Sequence, residues 1–407
     1  MFRRTLEKTI LQINQTFPVL LLTGPRQVGK TTLLEMCADK NLNYVTLDDL
    51  QAQELAKSDP KLFLQSHPHP LIIDEVQYAP ELFREIKIIV DREKKNGLFW
   101  LTGSQKFSLM QGITESLAGR VAIIDMLGLS QSEFDNRPDI NNPFLPNLTW
   151  INSIKKQGVK SKSLMEVYHR IWRGSFPMLS KDKNVPRDIF YKSYLQTYIQ
   201  RDVKDILNIT DDIAFSKFIR AIAARTGQML NYSDIARDVD IDHKTAKAWL
   251  SVLETSGLVY MLQPYHNNVT KRLVKTPKVY FLDTGLCSYL TQWATAESLE
   301  AGAMSGSILE TYIFVEILKS YWHYGKTPHF YYYRDTDQKE VDLIIEGGDT
   351  IYPVEFKKTA SPSKTASKNF KALEKLGKKI GHGAVICFVE NDIPLSADVT
   401  ALPIGYL

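Results

Sequence analysis

Short apolar runs alternate with helical patterns along the first 130 residues of the chain. The runs are Val19–Thr23, Tyr44–Leu47, Leu71–Asp74, Leu98–Thr102 and Val121–Met126. Continuous short runs of this kind are typical of strands that are buried on both faces, as in a parallel sheet covered by helices. The pattern therefore predicts an α/β domain with a parallel sheet over residues 1–135.

The periodicity changes after this region. Asn136–Leu148 is rich in proline and asparagine, which predicts a linker that leads into a helical segment ending near residue 225. Residues 231–262 then predict a helix, a turn, a second helix and a short strand pair. This spacing is typical of a winged helix, so we expect a winged-helix-like domain over residues 226–290.

A third pattern begins at Ser305 and indicates an α/β domain over residues 291–407. It starts with a long amphipathic helix that is predicted to end near Trp322. Gly347–Gly348 stands between two predicted strands and predicts a tight hairpin turn. The predicted strands are residues 329–335, 340–346, 350–358 and, after a lysine-rich helix near Lys364–Lys379, residues 384–390.

Composition narrows the class of protein. The chain has 407 residues, of which 44% are hydrophobic and 24% charged, and this excludes disordered and fibrous proteins. Its 50 Lys and Arg residues against 46 Asp and Glu residues give a net charge of only +4. No apolar run approaches the roughly 18 residues of a membrane helix, and the N-terminus lacks an apolar signal core. Cys37, Cys287 and Cys387 are too far apart for a disulfide framework, so we expect a cytoplasmic protein with no membrane partner.

The first motif that carries chemistry follows the first predicted strand. The segment GPRQVGKTT matches the phosphate-loop pattern GxxxxGK[ST], between a strand and a helix as that pattern requires. Glycines let backbone N–H groups wrap a phosphate, and the helix N-terminus adds a positive dipole. We expect Lys30 to neutralise the phosphates of ATP and the Thr31 hydroxyl to bind Mg²⁺; a glycine-rich turn with a solvated lysine is the alternative. The predicted ATP-binding residues are Gly24, Pro25, Arg26, Gln27, Val28, Gly29, Lys30, Thr31 and Thr32.

Acidic and polar residues at other strand ends complete the predicted ATPase site. We expect Asp74 to hold the water shell of Mg²⁺ and Glu75 to polarise the attacking water, unless both are merely exposed acids at a strand end. Thr102 or Ser104 can sense the γ-phosphate, although an ordinary turn is an equal alternative. Arg120 can supply charge to the transition state of a neighbouring subunit, worth roughly 10³–10⁵ in rate. That role predicts a homo-oligomer, whereas a structural arginine does not.

Several segments together resemble a known family. They are GPRQVGKTTL, LIIDEVQ, LTGSQ, ESLAGRV, YIQRDV, VYFLDTGL, EVDLIIE and PVEFKK, and they extend from Gly24 to Lys358. The sequence resembles AAA+-type P-loop ATPases and, more narrowly, bacterial and archaeal ATPases that join an AAA-like domain to a restriction-endonuclease-like domain. This resemblance implies an AAA+ module, a winged-helix segment and a C-terminal PD-(D/E)XK nuclease fold. Many AAA+ proteins carry asparagine where Ser104 stands, so this position departs from the pattern.

The C-terminal strands carry a second acidic cluster. Glu355 and Lys357 are two residues apart on a predicted strand and point to one face, while Asp342 lies on the preceding strand across the hairpin. The two carboxylates can hold a divalent metal, and Lys357 can orient or deprotonate water. The alternative is a strand pair with solvent-facing charges. The resemblance adds Glu310 as a further acidic residue of the nuclease site. Pro353 predicts that its strand starts there or lies at a sheet edge.

Basic residues in the middle of the chain are candidates for DNA contact. They are His243, Lys244 and Lys247 on the second predicted helix, followed by Lys271, Arg272, Lys275 and Lys278. Such residues would contact the phosphate backbone and give salt-sensitive binding. The alternative is that the segment packs between the flanking domains with solvated lysines, and the neighbouring Asp238, Asp240 and Asp242 weaken the case for DNA.

Three hypotheses for function follow. In the first, ATP hydrolysis drives or gates metal-dependent cleavage of nucleic acid. In the second, the nuclease-like domain is inactive, and the protein is an ATP-driven switch or scaffold that binds DNA or a protein partner. In the third, which the acidic neighbours weaken, a nucleotide-controlled regulator reads DNA through Lys244 and Lys247.

Overall fold

The computed structural model describes residues 1–39, 41–104, 113, 116–139, 142–198, 211–266 and 276–407. Within these ranges the chain forms two units. The first comprises Met1–Leu129, Thr255–Gly257 and Trp322–Lys326, and the second comprises Ser130–Glu254, Leu258–Tyr321 and Thr327–Leu407. The predicted helical segment includes residues 199–210, which lie outside the described residues, as does most of the YIQRDV segment.

The first unit is built on a five-stranded parallel sheet. Its strands are β1 (Val19–Thr23), β2 (Asn43–Thr46), β3 (Leu71–Asp74), β4 (Phe99–Gly103) and β5 (Val121–Asp125). They lie in the order β2-β3-β4-β1-β5, and each neighbouring pair is parallel. The predicted parallel sheet is confirmed, and the ends of each strand differ from the predicted run by at most one residue.

Burial explains why the central strands are uniformly apolar. β1, β3 and β4 are buried along their whole length, and the helices supply apolar side chains to the same core. The helices are α1 (Leu6–Thr16), α2 (Lys30–Cys37), α3 (Leu50–Ser58), α4 (Pro60–Ser66) and α5 (Leu82–Glu93). The register aligns Thr23 with Gly103 and Ile73 with Leu101, so the carboxyl ends of the three central strands meet at one edge.

The second unit begins with a series of helices. They are α6 (Gln131–Phe134), α7 (Leu148–Lys156), α8 (Leu164–Arg173), α9 (Pro177–Lys181), α10 (Arg187–Tyr198), α11 (Asp212–Ala223), α12 (Tyr232–Val239) and α13 (His243–Thr255). The turn between the last two follows from local chemistry. Asp240 ends α12 in a left-handed conformation, and the Asp242 carboxylate accepts the backbone N–H groups of Lys244 and Thr245, at 2.8 Å and 3.0 Å, to begin α13.

Two sheets follow in this unit. β6 (Gln228–Met229), β7 (Val259–Leu262) and β8 (Lys278–Phe281) form an antiparallel sheet in the order β6-β8-β7. A larger mixed sheet has the order β14-β15-β13-β11-β10-β9, with β12 also paired to β11. Its strands are β9 (Phe330–Arg334), β10 (Glu340–Gly347), β11 (Thr350–Phe356), β12 (Lys379–Ile380), β13 (Gly383–Cys387), β14 (Ile393–Ser396) and β15 (Val399–Pro403). The remaining α-helices of this unit are α14 (Thr284–Leu290), α15 (Ala296–Ala301) and α16 (Ser305–Trp322). The described residues also form 3₁₀ helices, at Val76–Tyr78 in the first unit and at Lys364–Leu376 and Ile404–Tyr406 in the second.

Helix α16 is a core helix. The prediction that it is amphipathic is wrong, because every residue from Thr311 to Lys319 is buried and the helix is therefore covered on all sides. The buried stretch includes the ion pair of Glu316 with Lys319, whose charged atoms are 2.9 Å apart.

Among the described residues, no helix has both the length and the apolar character that crossing a bilayer requires.

Pro353 lies inside the larger sheet. The prediction that its strand starts there or forms an edge is wrong, because β11 has β10 on one side and β12 and β13 on the other. Pairing with β12 ends at Ile351, and pairing with β13 begins at Val354. Pro353 therefore occupies the interval where the neighbouring strand changes, which is a place where a missing backbone donor is tolerated.

Asp283, in the VYFLDTGL segment, organises the helical part of the second unit. Its carboxylate accepts hydrogen bonds from the backbone N–H groups of Ser175 and Leu286, both at 2.7 Å, and from the Tyr191 hydroxyl at 2.9 Å. Gly174 lies against this network with φ +85°, and a Cβ there would be 2.1 Å from the Tyr191 hydroxyl oxygen. Only glycine fits this position.

We expect Gly174→Ala to lower the free energy of unfolding by about 2–4 kcal/mol, because overpacking adds to the cost of a left-handed alanine. Gly158→Ala is the matched control, since Gly158 has φ +63° and open space around its Cβ position. It should cost only about 1 kcal/mol. Urea unfolding measures both, and equal effects would contradict the crowded Asp283 network.

Candidate functional site

The phosphate-loop segment connects β1 to α2 in the first unit. Gly24 has φ +146°, and a Cβ on it would lie 2.1 Å from the Met126 carbonyl oxygen. Gly29 has φ +93° and caps the start of α2. Both glycines are thus required by the backbone, and the loop presents N–H groups and a helix N-terminus where an anion can bind.

Lys30 is held inside this loop. Its ammonium group donates hydrogen bonds to the carbonyl oxygens of Gly24 and Pro25, each at 2.9 Å, and the residue is only 6% exposed. The positive charge is therefore fixed beside the loop, where it would compensate phosphate charge.

The side chain of Asp74 is surrounded by hydroxyl groups. The Thr31 hydroxyl donates to one carboxylate oxygen at 2.9 Å, Thr102 donates to the same oxygen, and the Tyr44 hydroxyl donates to the other at 3.2 Å. Burial, followed by the charge of Asp74, raises the pKa of Tyr44 to about 12, so its hydroxyl keeps its proton. Thr31 and Asp74 offer the oxygen ligands that Mg²⁺ prefers, and the donor set fits that ion.

Glu75 is positioned by its neighbours. It adopts a left-handed conformation with φ +55°, and its backbone N–H donates to the Thr102 hydroxyl at 3.2 Å. Its carboxylate accepts hydrogen bonds from the Gln77 amide and from the Ser104 hydroxyl, the latter at 3.1 Å. The structure thus brings Ser104 to Glu75. Sequence reasoning missed Tyr44 and Gln77, which no spacing pattern marks.

Arg120 lies apart from this group. Its guanidinium forms a two-pronged ion pair with Asp91 of α5, at 2.6 Å and 3.0 Å, and also donates to the Ala118 carbonyl oxygen. The hydrogen bond from Arg120 lowers the pKa of the Asp91 carboxyl group. The structure therefore does not bring Arg120 together with Lys30 and Asp74 within one chain.

The second unit contains the predicted acidic cluster. The register of β10 and β11 pairs Leu343 with Val354, so Asp342 and Glu355 are the next opposed residues. Asp342 accepts the backbone N–H of Phe356 at 2.8 Å, and the Lys357 ammonium lies 2.7 Å from one oxygen of Glu355. The other Glu355 oxygen is buried and has no hydrogen-bond partner in the described part of the chain.

Glu310 of α16 faces the same cluster, where it meets residues that the sequence did not identify. One of its oxygens accepts hydrogen bonds from the Lys278 ammonium at 3.0 Å and the Tyr280 hydroxyl at 2.7 Å. Lys278 also lies 2.6 Å from a carboxylate oxygen of Glu340. Lys278 is only 3% exposed, so the prediction that it contacts DNA from the surface is wrong.

Burial determines the protonation of these acids. Burial raises the pKa of Glu310 to about 7 against the opposing charge of Lys278. Burial and then the charge of Asp342 raise the pKa of Glu355 to about 8, and burial also raises the pKa of Asp342. Within the described ranges, no three or more His, Cys, Asp or Glu side chains form a group that could hold a metal ion. The cluster is therefore an acidic site that lysine side chains partly compensate.

The predicted DNA-contact surface is described only in part. Lys244 and Lys247 are exposed on α13, and the Lys247 ammonium lies 5.4 Å from the centre of the Tyr232 ring. Asp238 is paired with Arg225. Lys271, Arg272 and Lys275 lie outside the described residues.

Three family models match parts of the chain. Residues 16–135 match the model of the AAA domain. Residues 165–297 and 305–407 match two domains of unknown function, DUF8612 and DUF4143.

Two uncharacterized proteins are similar over most of the chain. The protein Rv2008c of Mycobacterium tuberculosis is 29% identical over 391 residues, which cover 95% of this chain and 80% of that protein. The protein MJ1637 of Methanocaldococcus jannaschii is 23% identical over 334 residues, which cover 73% of this chain and 67% of that protein.

Solved structures provide more distant likenesses. The Walker-type ATPase PABY2304 of Pyrococcus abyssi has a TM-score of 0.44 at 15% identity, covering 72% of this chain and 96% of that chain. The RuvB Holliday junction branch migration motor of Thermotoga maritima has a TM-score of 0.31 at 17% identity, covering 64% and 89%. These scores carry no functional conclusion. Residues 16–135 thus combine a match to the AAA domain model with a five-stranded parallel sheet and a phosphate-loop segment.

Proposed function

We propose that the first unit binds Mg²⁺–ATP and hydrolyses it. The observation that carries this proposal is the 2.9 Å hydrogen bond between the Thr31 hydroxyl and the Asp74 carboxylate. It joins the end of the phosphate loop to the end of β3, where Lys30 is also fixed. Hydroxyl and carboxylate oxygens side by side, next to a buried ammonium group, suit a metal-bound triphosphate.

Each side chain then has a distinct role. The loop N–H groups and Lys30 would hold the phosphates, and Thr31 and Asp74 would hold Mg²⁺, which would neutralise charge on the phosphate oxygens. Glu75 accepts a proton from the attacking water, and Gln77 and Ser104 fix the direction of its carboxylate. Arg120 would act in a neighbouring subunit of a homo-oligomer, after release from Asp91.

We expect Lys30→Ala to weaken ATP binding about tenfold or more, because a buried charged donor is lost. Glu75→Gln should retain ATP affinity and lower kcat by about 10²–10⁴, because the proton acceptor is lost and the shape is kept. Lys61→Ala, at an exposed position of α4, is the control. Binding is measured by fluorescent-nucleotide titration and turnover by phosphate release; normal turnover in Glu75→Gln would refute its role.

We propose as a second function that the C-terminal cluster cleaves nucleic acid with a divalent metal. The buried, unpartnered oxygen of Glu355, opposite Asp342 and beside Lys357, favours this proposal, because it leaves a ligand position available. The contact between Lys278 and Glu310 favours the rival proposal, which is an ATP-driven scaffold that binds DNA or a protein partner without cleavage. DNA contact through Lys244 and Lys247 would be compatible with either proposal.

If the cluster cleaves nucleic acid, Lys357→Ala should lower cleavage by about 10² or more and spare ATP hydrolysis. The assay uses single-stranded, linear and supercoiled DNA with Mg²⁺ or Mn²⁺, with and without ATP. Lys156→Ala, exposed at the end of α7, is the matched control for loss of a lysine charge. No cleavage by the unaltered protein, with ATP hydrolysis intact, would support the scaffold instead.

A further inference from the structure

We infer that Arg4 is a positioning residue of the phosphate loop, which holds the Val28–Gly29 peptide so that the Gly29 N–H faces a bound phosphate. The inference rests on the proposed ATPase function and adds to it a residue that the phosphate-loop pattern does not include. Arg4 also lies outside residues 16–135, which match the AAA domain model. One buried guanidinium that joins two distant segments of the first unit carries the inference.

The Arg4 guanidinium bridges the phosphate loop and the segment that follows β5. It donates to the Val28 carbonyl oxygen at 3.0 Å and, through its other terminal nitrogen, to the carbonyl oxygens of Leu127 and Gly128 at 2.7 Å and 3.4 Å. Arg4 is 6% exposed and Val28 is 2% exposed, so these bonds are shielded from water. A charged donor that is withdrawn from water forms stronger hydrogen bonds than a neutral surface group does. The two segments are therefore held at a fixed distance from each other.

Helix α1 fixes the position of Arg4. The Arg4 backbone N–H donates to a carboxylate oxygen of Glu7 at 2.7 Å, and the Glu7 N–H donates to the Arg4 carbonyl oxygen at 3.2 Å. Leu6 and Ile10 are fully buried, and α1 packs against β1 and α2. The guanidinium thus extends from a backbone that is anchored to the sheet and to the helix after the loop, so it can restrain the loop.

The planarity of the peptide bond links this contact to phosphate binding. In a trans peptide the C=O and the following N–H point in opposite directions. Because Arg4 holds the Val28 carbonyl, the Gly29 N–H points away from Arg4 and cannot turn without breaking that bond. Gly29 has φ +93° and no side chain to restrict its backbone, so this restraint fixes a flexible position. The positive charge on the carbonyl side also polarises the peptide and makes the N–H a stronger donor to an anion.

Lys30 does not replace this contact. Its ammonium donates to the carbonyl oxygens of Gly24 and Pro25 at the start of the loop. In the proposed function Lys30 would turn to the phosphates and give up these bonds. The bond from Arg4 lies on the carbonyl side of the Val28–Gly29 peptide and would persist in the nucleotide complex. Arg4 therefore acts on phosphate affinity and does not touch the reacting atoms.

The test compares Arg4→Met with the unaltered full chain at a temperature well below both Tm values. Methionine keeps an unbranched side chain and removes the guanidinium. We expect the KM for ATP to rise, and the affinity for ATP and ADP to fall, about tenfold, because a buried charged donor is lost. The kcat should change less than about threefold, since loss of ground-state phosphate binding raises KM alone. Turnover is measured by phosphate release and binding by fluorescent-nucleotide titration.

Arg187→Met is the matched control. Arg187 is 5% exposed in the second unit, and its guanidinium donates to the carbonyl oxygens of Trp172 at 2.7 Å and Gly285 at 3.2 Å. Its loss should lower Tm and leave the KM for ATP unchanged, because a merely structural arginine changes the folded fraction and not the affinity of the folded protein. Arg3→Met, at a side chain that is 55% exposed, controls for charge before α1.

Two results would overturn the inference: a KM in Arg4→Met equal to that of the unaltered protein, or an equal rise in KM in Arg187→Met. If Arg4→Met does not fold, Arg4→Lys is measured in the same way. Its KM should rise at least about threefold, because one ammonium cannot span both segments as the guanidinium fork does. An unchanged KM in Arg4→Lys then overturns the inference, as does failure of both variants to fold.

Failure of the proposed function is a separate outcome. If the unaltered protein binds no ATP, the proposed function is refuted and the inference falls with it. If the unaltered protein binds ATP and the Arg4 variants bind it equally well, only the inference is overturned.

Discussion

Carboxylates that are withdrawn from water need compensating charge, and this constraint shapes the acidic cluster of the second unit. Glu310, Asp342 and Glu355 come from three elements of the chain, Glu355 is buried, and Glu310 and Asp342 are only partly exposed. Lys278 from β8 and Lys357 after β11 provide the positive charge. Because Lys278 belongs to β8, its ion pairs with Glu310 and Glu340 tie that strand to α16 and β10.

The buried acid of the first unit, Asp74, has different hydrogen-bond partners. Asp74 is surrounded by the hydroxyl groups of Thr31, Thr102 and Tyr44, which orient the carboxylate and leave its negative charge in place. Glu310 instead contacts an ammonium group at 3.0 Å. A divalent ion can therefore join Asp74 without displacing a cation, whereas at Glu310 it would have to replace Lys278. The contrast supports the proposal that Mg²⁺ binds at the first site.

Local sequence patterns predicted the structural features that depend on residues close together in the chain. The apolar runs predicted the strands of the parallel sheet, and the spacing of two residues placed Glu355 and Lys357 together. Contacts between residues that are distant in the chain were not predicted. Lys278 is 32 residues from Glu310 and Tyr44 is 30 residues from Asp74, and no periodic pattern connects them.

The errors also have physical causes. α16 was predicted to be amphipathic, but two of its charged residues, Glu316 and Lys319, pair with each other inside the core. Pro353 indicated an edge because a central strand normally needs its N–H group, yet it falls where β12 gives way to β13. In both cases the relevant partner comes from the folded structure: an ion pair compensates the charges of α16, and a change of neighbouring strand accommodates Pro353.

The most direct test of this account is the position of metal ions in crystals grown with Mn²⁺ and a non-hydrolysable ATP analogue. The account predicts an anomalous Mn²⁺ peak beside Thr31 and Asp74. Clear density for the ATP analogue in the phosphate loop with no Mn²⁺ peak beside Thr31 and Asp74 would contradict it.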